Sequence, residues 1–344
     1  MAEAESRFDE RDIQFARYRL KQGTPEYAEY YGRHPELRAL DDRARALPGL
    51  LSSESLYYHP LDTAAAVSSF QLIDRLRNSV DGAFEEKTGL THDEILSFLV
   101  KWMSQLGADA TGTGPISPSA WYSHVGRGTG GYGTKIPVEH GYALVIGCEM
   151  KAEPVSSAPG SPEVVEAAAR YAQCAFLAVQ AAEFLRLMGY SARAHIDGNY
   201  RVIAAEAARE TGLGSYGWSG LLLTEKYGPR IRFSVVTTDL PMPPPERPEP
   251  DFLRFCRLCR KCVANCPSRS ISAEEPGKVD GDRCFAYWNA VGTDCGVCMA
   301  VCPLGRNRGI LKELALRYRP AAKLLLRLDG VSYRNMKAQR EGTE

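Results

Sequence analysis

Eight of the chain's ten cysteines fall between Cys256 and Cys302, and their spacing limits what this part can be. They form two runs, Cys256-x2-Cys259-x2-Cys262-x3-Cys266-Pro267 and Cys284 followed by Cys295-x2-Cys298-x3-Cys302-Pro303. Two-residue spacings let successive thiolates turn around one iron–sulfur cube, while the cysteine before proline leaves for its neighbour. In two-cluster ferredoxins the fourth cysteine of each run ligates the other cluster. That assigns Cys256, Cys259, Cys262 and Cys302 to a first [4Fe–4S] cluster. Cys266, Cys284, Cys295 and Cys298 go to a second. The stretch between Cys284 and Cys295 departs from the compact spacing, so that ligand comes from a loop. Zinc knuckles also use Cys-x2-Cys, but neither they nor chance reproduces both Cys-x3-Cys-Pro endings.

Two clusters side by side form an electron wire, and a bare ferredoxin would stop at about 60–80 residues. This chain has 344, so the residues ahead of the clusters are the expected seat of catalysis. Lys plus Arg equals Asp plus Glu at 42 each, so net charge supports neither a nucleic-acid partner nor a membrane surface. No window approaches the roughly 18 apolar residues of a spanning helix. The N-terminus shows no apolar signal region and no twin-arginine pair, which points to a cytoplasmic protein. Cys148 and Cys174, outside the runs, read as buried small apolar residues.

Four units follow from the patterning. Residues 1–90 read as a polar, helical N-terminal unit with Tyr27, Tyr30 and Tyr31 clustered. Residues 91–245 form the expected core. It opens with a helical pattern over 92–106 capped by Gly107, then a glycine-rich loop at Gly126–Gly133. That loop lacks the strand–helix setting of a dinucleotide fingerprint. Tyr142–Gly147 reads as a buried strand. In 163–188, Val164, Ala168, Tyr171, Ala175, Ala178, Ala182 and Leu185 make one helical stripe. This mostly alanine face lets something bulky approach closely. Tyr190–His195 and Arg230–Asp239 read as strands. Six prolines between Pro241 and Pro250 predict a stiff linker before a cluster module at 246–310. A basic tail, 311–344, completes the chain. With Arg306 and Arg308, its Lys312, Arg317, Arg319, Lys323 and Arg327 read as a solvated helix face or a dock for an acidic donor.

The chain resembles the corrinoid-dependent reductive dehalogenases. The matching stretches run in family order: HPELRALDDRARALPGL (34–50), LGADATGTGPI (106–116), HGYALVIGCEM (140–150), ARYAQCAFLAVQAAEFLRLMGYSARAH (169–195), GLGSYGWSGLLLTEKYGPRIR (212–232), TTDLPM (237–242) and CFAYWNAVGTDCGVC (284–298). The resemblance implies an α+β fold, a nitroreductase-like cobalamin-binding core followed by a ferredoxin-like two-cluster module. The cobalamin would be held base-off, with no protein ligand to cobalt, and no Asp-x-His-x-x-Gly motif is present. The implied reaction replaces a carbon-bound halogen of a small organohalide by hydrogen. Tyr171 matches the family's proton donor, a phenol that needs a neighbouring cation to act as an acid. Arg230 is carried over as that cation, with Arg232 close behind. Asn199 and Tyr142 are expected at the corrinoid. Trp218 stands where members often carry a smaller or basic residue, and is expected to reshape the pocket. The resemblance also implies an external donor such as ferredoxin or flavodoxin, and a homodimer.

Three alternatives accompany this reading. Tyr171 on its own reads as a core tyrosine. An epoxyqueuosine reductase, which acts on tRNA, combines similar parts but calls for a basic groove. A non-catalytic iron–sulfur electron carrier would need no tyrosine–arginine pair, so turnover separates it from the enzyme.

Overall fold

Tyr142–Gly147 is apolar at every position because the strand it forms is covered on both faces. In the computed structural model, which describes residues 7–246, 250–306 and 309–333, β1 (Ala110–Pro115), β2 (Tyr142–Glu149) and β3 (Ala192–His195) join a later strand, β6 (Ile231–Thr238). The order is β1-β2-β6-β3, antiparallel throughout. A two-residue ribbon, β4 (Ser215–Tyr216) with β5 (Leu222–Leu223), stands apart. Side chains alternate across a strand, so Leu144, Ile146 and Cys148 face one core. Ala143 and Val145 face another with Trp121, Val202, Ala207 and Ala208. Mixed helix and sheet make the fold α+β.

The alanine stripe lies on the helix Ser161–Leu187, packed between the sheet and the helix Pro60–Leu76. Ala168, Ala175, Ala178 and Ala182 are fully buried, as are Cys148 and Cys174. Small side chains let the two helices and the sheet approach closely. Ala178→Leu should therefore overpack this layer and cost about 1–3 kcal/mol, read as a lowered denaturant midpoint; an unchanged midpoint would mean the layer has slack. Past the helix end, Gly189 has φ +86, and a Cβ there would lie 2.4 Å from the Lys87 Cα.

The N-terminal segment is tied to the cluster region. Tyr27, Tyr30 and Tyr31 are buried and donate to Asp42, Asp12 and Asp41 at 2.9, 3.0 and 2.8 Å. Arg17 pairs with Asp41 and, at 2.7 Å, with Asp282 on the helix Gly281–Val291. Phe15 and Tyr18 lie 4.8 and 4.9 Å, ring to ring, from Phe285 of that helix. The proline-rich segment also contacts the core: a Cβ on Gly212 would come within 2.6 Å of Pro245. Residues 247–249 of the expected linker, and Arg308 of the basic stretch, lie outside the described residues. Among the described residues no helix is long and apolar enough to cross a membrane.

His195, given no role by the sequence, is fully buried on β3. Its Nδ1 accepts from the Arg201 backbone at 3.1 Å, so Nε2 carries the hydrogen and donates to Thr237 at 2.9 Å. Thr237 must then donate to His140 Nδ1, also 2.9 Å away, and His140 Nε2 donates to Ser191. One backbone donor thus sets four side chains in a neutral chain. Burial holds both histidines below their usual range, further for His195, where Arg193 adds to the effect. The unfolded state, titrating near pH 6.5, takes up protons that the folded state refuses. Stability should fall as pH drops below about 6.5, by up to about 1.4 kcal/mol per unit for each histidine. Melting His195→Gln beside the parent at pH 7.5 and 6.0 should show the smaller drop in the variant.

Candidate active site

Tyr171 sits on the long helix, deep in the molecule, yet keeps accessible surface. So do Tyr122, Arg127 and Arg232. The Arg232 guanidinium lies 5.0 Å from the centre of the Tyr171 ring, within cation–π range. Burial pushes the Tyr171 phenol up to about 12; Arg232 opposes that shift, while Asp197 and Asp294 add to it. Tyr171 therefore holds its proton at neutral pH, beside a cation that favours its loss.

Arg232 is itself anchored. It donates to Asp294 at 2.9 Å, immediately before the cluster cysteine Cys295, and touches the Met299 sulfur at 3.5 Å. Behind Asp294 lies Glu163, fully buried, against Gly296 of the same loop. Burial, then the Asp294 charge, raise the Glu163 carboxyl well above its ordinary range. Tyr171 and Arg232 are thus joined through Asp294 to the loop that carries Cys295, with Glu163 of the long helix packed behind. Asp294 and Glu163 were missed in the sequence; only the adjacency of Asp294 to Cys295 could have flagged it.

The other arginine is placed differently. Arg230, expected beside Tyr171, is 1% exposed and donates to Gly305 O at 2.7 Å and to Met150 O, and pairs with Glu149 at 3.0 Å. It lies just before β6 and fastens the sheet to the segment after Cys302. Arg230→Met should leave buried carbonyls unpaired and cost about 3–5 kcal/mol, seen in the denaturant midpoint; a loss confined to turnover would contradict this structural role. Asn199 is buried, and its Oδ1 accepts from the Thr129 backbone and hydroxyl, both at 3.3 Å. Its Nδ2 has no partner among the described residues. Tyr142 opens β2, half-buried against the same core as Tyr171.

Cys256, Cys259, Cys262 and Cys302 line one cavity, which Cys298 also reaches. Among the described residues no three His, Cys, Asp or Glu side chains converge closely enough to chelate a single ion. The thiols line a common space instead. Burial pushes Cys256 and Cys302 up to about 12, and Cys259, Cys262 and Cys284 to about 11. A thiolate at these positions needs a metal to hold its charge. Trp218 lines this first cysteine cavity.

The architecture defines an α+β protein with a tyrosine–arginine pair joined by Asp294 to a cysteine-rich region. No family model matches the chain. It is 37% identical over 164 residues to the tetrachloroethene reductive dehalogenase of Desulfitobacterium hafniense, covering 41% of this chain and 29% of that protein. A solved catabolic reductive dehalogenase superposes with a TM-score of 0.74 at 26% identity, covering 94% of this chain and 46% of the other. A solved reductive dehalogenase described through B12-dependent dehalogenation gives a TM-score of 0.70 at 27% identity, over 84% of this chain and 45% of that one. Similarity to epoxyqueuosine reductases is weaker, at 30% over 133 residues for that of Lactococcus garvieae. Over these stretches the chain is similar to reductive dehalogenases in both sequence and fold. It spans less than half the length of these relatives.

Proposed function

We propose that the protein is a reductive dehalogenase that converts R–X, two electrons and a proton into R–H and X⁻. The observation that carries this reading is the Arg232 guanidinium on the Tyr171 ring, hydrogen-bonded to the cluster loop. The sheet and its helices then act as a nitroreductase-like corrinoid-binding core, and the cysteine region as a ferredoxin-like module with two [4Fe–4S] clusters.

The residues present fit a corrinoid, since Asn199 Nδ2 is a buried donor in want of an acceptor and the corrin rim carries amide carbonyls. Asn199 and Tyr142 would hold it, and when bound it supplies low-valent cobalt chemistry at the carbon–halogen bond. The chain's own residues do the rest. Tyr171 gives its hydroxyl proton to the carbon that loses halide. Arg232 stabilises the phenolate left behind, and Asp294 fixes Arg232 in place. Burial around Tyr171 keeps bulk water from serving as a competing proton source. The substrate class is a small organohalide, and electrons come from an external ferredoxin or flavodoxin.

Iron, cobalt and halide release test this together. Anaerobically reconstituted protein should carry about eight irons and about one cobalt, and should release halide from an organohalide panel under reduced methyl viologen. Eight irons with no cobalt, after cobalamin has been offered, would leave the electron carrier as the reading.

A further inference from the structure

The two sets of cluster cysteines sit in opposite electrostatic surroundings. Around the first lie three cations. Arg260 and Lys261 line its cavity, and Arg306 acts on Cys302 and Cys259. Asp329 pairs with both Lys261 and Arg306, and Asp251 acts on Cys256, so three cations face two carboxylates. Around the second lie carboxyl groups: Asp294 and Glu163 act on Cys295, and Asp280 on Cys284. Arg232 balances Asp294 at 2.9 Å, and the Glu163 carboxyl lies behind it against Gly296, so no positive surplus arises there.

Arg260 is the cation with no carboxylate in its hydrogen bonds. Its guanidinium carbon lies 3.2 Å from the centre of the Trp218 ring, and the group donates to Ala273 O. Trp218 is 3% exposed, held by a 2.8 Å bond from Nε1 to Ser272 O, and its backbone N–H also points at Cys256. Arg260 itself takes a left-handed conformation, φ +51, between the helices that carry Cys259 and Cys262. A strained backbone and a stacked ring thus hold one permanent charge at the cavity wall.

We propose that Arg260, clamped on Trp218, holds the first cluster at a higher reduction potential than the second. Adding an electron to a cluster adds negative charge, which a nearby cation favours and a nearby carboxylate opposes. The first cluster is then the one an external donor reduces readily. The second, beside Asp294 and Arg232, is the stronger reductant and faces the catalytic tyrosine. The inference rests on the two-cluster reading.

The test is an anaerobic potentiometric titration followed by electron paramagnetic resonance, on the reconstituted protein with its iron content measured. Arg260→Asn tolerates the left-handed backbone and removes the charge; it should lower the potential of the higher-potential signal and leave the other in place. Arg260→Lys should keep that potential near the parent's. Trp218→Leu, which frees the guanidinium, should shift the same signal in the same direction as Arg260→Asn. A shift of both signals, of the lower-potential signal, or of neither would overturn the proposal. Iron well below about eight per chain in the parent would instead defeat the two-cluster reading on which it stands.

Discussion

Tyr171→Phe is expected to lower halide release by about 100- to 10,000-fold while both clusters and the corrinoid stay bound. Phenylalanine keeps the ring, and with it the contact to Arg232 and the packing of the alanine helix. Only the hydroxyl proton is lost. A phenol pushed up to about 12 by burial is a poor acid, so Arg232 has to do much of the work. Arg232→Met should approach the same loss, and Arg232→Lys, which keeps the charge but not the planar fork toward Asp294, should fall between. The alkaline limb gives a second check. The protonated phenol is the active form and persists well past neutrality, so the parent should show no loss from this group up to about pH 10. Unchanged turnover in Tyr171→Phe would remove the tyrosine from the mechanism.

What could be read from the sequence was local. Cysteine ligands must turn around one cube within a few residues, so their spacing is written in the chain. The alanine stripe and Tyr142–Gly147 were legible for the same reason, since a buried helix and a doubly covered strand impose their own periods. The arginines were not separable. Arg230 and Arg232 are two residues apart at the start of β6, and an alternation rule puts both on one face. What decides between them is long-range: Gly305 and Met150 draw Arg230 into the sheet's support, whereas Asp294 draws Arg232 over Tyr171. Glu163 and Asp294 were invisible because their meeting depends on how the cysteine loop docks on the long helix. The placing of Trp218 at the first cysteine cavity was likewise not legible, because it depends on how its loop folds.

The same cavity yields the sharpest test of the cluster wiring. Cys302 belongs to the second run in sequence, yet it lines the cavity made by Cys256, Cys259 and Cys262. Crosswise ligation therefore makes an unusual demand on two variants far apart in the chain. Cys256→Ala and Cys302→Ala should each fall from about eight irons to about four, and the spectrum that survives should be the same in both. Cys284→Ala should lose a similar amount of iron but leave the other spectrum. Turnover should vanish in all three, because electrons arriving singly need both stations. Cys298 sharpens the comparison, since it also reaches the first cavity while assigned to the second cluster. Its alanine variant should leave the spectrum of Cys284→Ala. If Cys302→Ala instead left that spectrum, each run would bind its own cube, and the cysteine before Pro303 would not cross to its neighbour.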